Sequence, residues 1–170
     1  MFGNLLCILA LTWVFPPNSS ASYVEKIGAS YSERLAICTE IATSADLHGV
    51  SQSLAVAVGF TESKFTYSTS GAGAVGPLQV IRKYVCRTDQ KNGAECDLID
   101  AGVQALRYWV KRSSTVARGL CRYNAGNTCT TTGRKYARGV LSRQRVLDAQ
   151  MRLLFGQAYK ETEKRKAPRD

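Results

Sequence analysis

The stretch that decides the fold runs from residue 51 to residue 79. It opens as Ser51-Gln52-Ser53-Leu54-Ala55-Val56-Ala57-Val58-Gly59-Phe60-Thr61-Glu62-Ser63. Past Lys64 and Phe65 it reaches Ser70-Gly71-Ala72-Gly73-Ala74-Val75-Gly76-Pro77-Leu78-Gln79. The first half reads as a helix over residues 52–63, with Ser51 as its N-cap and Leu54, Ala55, Val58 and Phe60 on the buried side. From Thr66 to Gly76 the residues are mostly Ser, Thr, Gly and Ala, which is loop chemistry. Pro77 is placed to open a short helix through Val80. One carboxylate, Glu62, stands where the apolar helix meets the loop. A carboxylate against apolar walls resists ionisation, because burial disfavours its charged form. A carboxyl that keeps its proton near neutral pH can act as a general acid. The plainer reading of Glu62 is a helix-end charge, or a partner of Lys64.

Outward from this stretch the chain reads as mostly helical. Residues 31–47 place Leu35, Ile37, Cys38, Ile41, Ala42 and Ala45 at helical spacing, and Gly49 ends the run. Asp97 or Asp100 can cap a helix through about Lys111. A short helix is expected over residues 115–123 and a long one over 134–159. A small hairpin around residues 84–96 is the one candidate for β structure. The charged tail, residues 160–170, is expected to be flexible. With 170 residues and 45% hydrophobic content, one domain has enough material for a core.

The first 22 residues contain no charged side chain and no His. Leu5 to Phe15 is an apolar run, followed by Pro16, Pro17 and a group of small residues. This pattern predicts a secretory signal over residues 1–22, cleaved after Ala21 or Ser22, and hence a secreted or periplasmic protein. An uncleaved anchor and a buried N-terminal segment are the alternatives. The domain then occupies residues 23–159. In an oxidising compartment the favoured disulfides are Cys86–Cys96 and Cys121–Cys129, which leaves Cys38 over. Cys38–Cys96 also remains open. No zinc-type spacing occurs and His48 is the single histidine, so no metal and no cofactor are expected.

Net charge is +10, which favours an anionic partner. No aromatic–basic signature of a nucleic-acid binder is present, so nucleic acid is not expected, and charge alone does not choose between anionic lipid and an acidic cell wall. Glycosidases that use water generally pair two carboxylates. Here no Asp or Glu occurs from Ser63 to Thr88, nor from Ala101 to Leu147. Catalysis through one carboxylate fits that distribution better.

Glu62-Ser63, the Ser70-to-Gln79 stretch, Asp97 with Gly102 and Leu106, Tyr123-Asn124-Ala125-Gly126 and Tyr136 resemble, in order, the motifs of the soluble lytic transglycosylase domain. That family has a lysozyme-like fold. The resemblance spans roughly residues 45–140. It implies a mainly α domain of the α+β lysozyme-like class, with a cleft and at most a small hairpin. It implies a monomer acting on peptidoglycan glycan strands. Glu62 would be the catalytic acid/base, and Ser70, Gln79, Tyr123, Asn124 and Tyr136 would bind substrate. The product would be a 1,6-anhydro ring formed without water. Pro77-Leu78 departs from the Leu-Met common before the motif Gln and removes one backbone NH. Arg82, Lys83 and Arg87, which follow, are candidates for meeting carboxylates of the wall. A lysozyme-type hydrolase and a non-catalytic wall-binding part of a secretion or phage lysis apparatus are the other function classes.

Overall fold

The computed structural model describes residues 2–15, 21–86 and 96–166. The helices are α1 (Gly3–Leu11), α2 (Ala21–Leu47), α3 (Gln52–Ser63), α4 (Arg82–Val85), α5 (Leu98–Lys111), α6 (Val116–Ala125), α7 (Thr131–Phe155) and α8 (Gln157–Lys166). Among the described residues the only β pairing is two isolated bridges, Thr69 with Val75 and Val75 with Val80. The class is therefore mainly α.

The core is built around α3. Its residues from Gln52 to Gly59 are all buried, as befits a helix that is apolar on every side. It packs between α2 and α7, with α1 against it as well. The Ser51 hydroxyl accepts from the Leu54 amide at 3.3 Å, so the expected cap forms. The other starts follow the same logic. Asp97 accepts from the Ile99 and Asp100 amides, both at 3.0 Å. Thr115 accepts from Arg118 and Thr130 from Gly133, each at 3.1 Å. Each such cap satisfies helix donors that have no partner within the helix.

Several expectations change. α2 begins ten residues earlier than residue 31. Residues 77–80 do not form a helix. Gly76 (φ 76°) and Gln79 (φ 48°) turn the backbone there, and Val75 and Val80 exchange both backbone bonds at 2.8 and 3.0 Å. The tail is helical as far as Lys166. Residues 87–95 of the expected hairpin lie outside the described residues, and the preceding Arg82–Val85 is one helical turn.

The N-terminal segment packs into the domain. Leu6, Cys7, Ala10 and Leu11, which share one helical face, are fully buried against α2, α3 and α7. Phe2 meets Phe155 and Tyr159 edge-on at 4.9 and 5.6 Å, and Trp13 meets Phe60 at 5.0 Å. Cys38 is not left over: it is bonded to Cys7. Assigning residues 1–22 to a cleaved signal took Cys7 out of the pairing, and the bond joins residues 31 apart that helix packing brings together. The other two bonds, Cys86–Cys96 and Cys121–Cys129, are as expected. Cleavage after residue 21 or 22 would remove Cys7 and its bond from the domain. No helix among the described residues is long and apolar enough to cross a membrane.

Candidate active site

Glu62 lies on the last turn of α3, one residue before the chain leaves the helix. Lys64 and Phe65 both have left-handed backbone (φ 55° and 64°), and Phe65 is fully buried. This reversal carries the chain into the loop 66–80 beside Glu62. Ser63 anchors the loop at both ends. Its hydroxyl donates to the Pro77 carbonyl at 2.8 Å and accepts from the Thr66 amide at 3.1 Å.

Two tyrosines from the far half of the chain complete the arrangement. Tyr136 of α7 donates to Glu62 Oε1 at 2.6 Å. Tyr123 of α6 donates to the Leu78 carbonyl at 2.6 Å. Leu78 is fully buried and sits on Gly102 of α5. A Cβ at position 102 would stand 2.6 Å from Leu78 Cβ, so only glycine lets the loop approach α5 this closely.

Burial raises the Glu62 pKa to about 7, against the downward pull of the Tyr136 bond. Near neutral pH the carboxyl is therefore divided between its acid and base forms, as a group that both gives and takes a proton requires. Burial, then the negative charge of Glu62, push both phenols well above their ordinary value. They stay protonated and keep donating.

Ser70 and Gln79 are occupied with the loop itself. The Ser70 hydroxyl accepts from the Ala74 amide at 3.1 Å. Gln79 Nε2 donates to the Ser68 carbonyl and hydroxyl and to the Gly76 carbonyl, at 3.0, 3.1 and 2.9 Å. These bonds hold a non-glycine residue at positive φ, a conformation that persists only where its surroundings enforce it. Asn124 is exposed beside Tyr123. The structure thus brings Glu62, Tyr123 and Tyr136 together and makes Ser70 and Gln79 parts of the loop that flanks them.

Sequence reasoning did not identify the roles of Ser63, the Leu78 carbonyl or Gly102. A lone glycine within the apolar face of α5 is the one local signal that something packs close there. Nor did it separate Asp97 from Asp100. Asp97 is the cap, while Asp100 bonds to His48 at 2.5 Å and to Gln104 at 2.6 Å. Partial burial acts to raise the Asp100 carboxyl, but its bonds from His48, Gln104 and Ser44 outweigh that and hold it low. Asp148 is engaged by Tyr159 at 2.7 Å. Among the described residues no group of His, Cys, Asp or Glu side chains converges as a metal ion would need. No family model, no curated protein and no solved structure matches this chain.

Proposed function

We propose that this protein is a peptidoglycan lytic transglycosylase with Glu62 as its single acid/base. The observation that carries the reading is the state of Glu62: a half-buried carboxyl with a pKa near 7, held by a tyrosine. In the proposed reaction the Glu62 proton passes to the glycosidic oxygen as its bond to C1 of N-acetylmuramic acid breaks. The resulting carboxylate takes the proton of the C6 hydroxyl as O6 bonds to C1. One C–O bond breaks and one forms, the carboxyl regains its proton, and no water is consumed. Tyr136 stabilises the carboxylate between the two transfers. The sequence has no Asp or Glu from Ser63 to Thr88 or from Ala101 to Leu147, and this distribution supports the single-residue route over a two-carboxylate hydrolase. The three disulfides fit an extracellular or periplasmic setting, where the wall is the available substrate.

Digestion of purified sacculi by the protein and by Glu62→Gln, with mass spectrometry of the muropeptides, tests the reading. Anhydro ends are expected from the parent only. Water-added reducing ends would make the protein a hydrolase, and no products from either would make it a wall-binding module.

A further inference from the structure

A concave site lies between α6 and α7, with a volume of about 700 Å³. It is lined by buried Ala137 and Cys121, by Cys129, to which Cys121 is bonded, and by Ala117, Arg118, Arg134 and Arg138. It faces away from Glu62. Arg134 and Arg138 each stand two residues from Tyr136, about 200° around the helix at 100° per residue, and Tyr136 is the residue that reaches Glu62. Cys121 stands in the same relation to Tyr123 on α6.

The site is strongly cationic. Residues 101–147 hold ten Lys and Arg and no acidic residue, leaving thirteen of the 23 basic residues to balance thirteen acidic ones elsewhere. The whole net charge is thus concentrated on α5 to α7. Arg134 is oriented by the Cys129 carbonyl at 3.3 Å and by Thr131 at 3.0 Å. The guanidinium groups of Arg118 and Arg138 have no partner among the described residues. Three arginines around one hollow repel each other until an anion enters.

We propose that this groove binds an extended acidic peptide. Guanidinium forks match carboxylates bidentately. Arg134 and Arg138 are one helical turn apart, with Cβ atoms about 5–6 Å from each other. Carboxylates at alternate positions of an extended chain repeat at about 6.6–6.8 Å, close to that spacing. The intervening small apolar side chains fall on the alanine methyls and disulfide sulfur of the lining. A nucleic-acid strand would want aromatic stacking platforms, and the lining contains none. A flat bilayer does not reach into a concave site.

Fluorescence anisotropy of a labelled, N-acetylated peptide alternating Glu and Ala, titrated with the full chain, tests the proposal. The parent is expected to bind it, and Arg134→Gln/Arg138→Gln to bind about tenfold or more weakly, as loss of charged hydrogen bonds implies. Arg107→Gln/Lys111→Gln removes the same charge from an exposed part of α5 and is expected to leave affinity unchanged. Glu62→Gln is also expected to bind normally, so failure of the glycan reaction and failure of the groove remain distinguishable. Equal binding by Arg134→Gln/Arg138→Gln, with its thermal unfolding unaltered, overturns the site. So does equal weakening by the α5 variant, or a preference for pyrophosphate or phosphatidylglycerol vesicles over the peptide.

Discussion

Holding Glu62 partly desolvated costs stability above its unfolded pKa, and the sign of that cost is testable. Its folded pKa near 7 lies above the ordinary 4.5. Below pH 4.5 the carboxyl is protonated in both folded and unfolded chains. Between 4.5 and 7 the unfolded chain releases the proton while the folded chain retains it, so stability falls as pH climbs through this window. The shift corresponds to about 3 kcal/mol. Glu62→Gln is therefore expected to be more stable than the parent by up to that amount at pH 8 and nearly equal to it at pH 4. Urea unfolding at the two pH values checks this, and a pH-independent difference would count against a half-buried, proton-holding carboxyl. Tyr136→Phe removes the bond that lowers the Glu62 pKa. The alkaline limb of the pH–rate profile on sacculi should then move upward. The rate should fall by about tenfold or more, since a hydrogen bond to a charged group is lost. At this scale the residue types were legible but their pairing was not: Tyr136 lies 74 positions from Glu62, and no local pattern names the acceptor of a distant phenol.

Among the elements, the loop 66–80 depends on α5 and α6 more than on its own sequence. Tyr123 donates to its Leu78 carbonyl and Gly102 admits its Leu78 side chain. Gly102→Ala is expected to cost about 1–3 kcal/mol through overpacking and to lower activity by displacing the loop, while the pH profile stays in place. Thermal unfolding and a pH–rate profile separate it from the Glu62 and Tyr136 variants. The start of α3 was readable from its Ser51 cap, because a cap acts within three residues, whereas two nearby acids, Asp97 and Asp100, competed for the start of α5. Pro77 misled for the same reason of range. Proline suits a first helical position, yet here the chain turns back at Gln79, and bonds from that side chain to Ser68 and Gly76 enforce the turn.

For the molecule as a whole, the N-terminal segment is the test. Leu6 and Leu11 are fully buried, each contributing about 1.5–3 kcal/mol, and a disulfide typically adds about 2–4 kcal/mol. Together these approach the entire stability of an ordinary domain, about 5–15 kcal/mol. A chain beginning at residue 23 is therefore expected to lose cooperative unfolding, or to melt far below the full chain. Calorimetry of the two forms, with intact-mass measurement of the folded full-length protein, checks it; equal melting temperatures would show α1 to be dispensable. By itself the sequence determined the helical class and the capped start of α3 and favoured two short-range disulfides, because each depends on residues near one another in the chain; the candidate acid stood out only through motifs spread over residues 45–140. Tertiary structure alone decided that α1 joins the core, that Cys38 pairs with Cys7, and that Tyr123 donates to the Leu78 carbonyl of the loop. Those outcomes follow from burial and from contacts across tens of residues. The pKa of Glu62 belongs with them, since its carboxyl is partly desolvated only once the helices have packed.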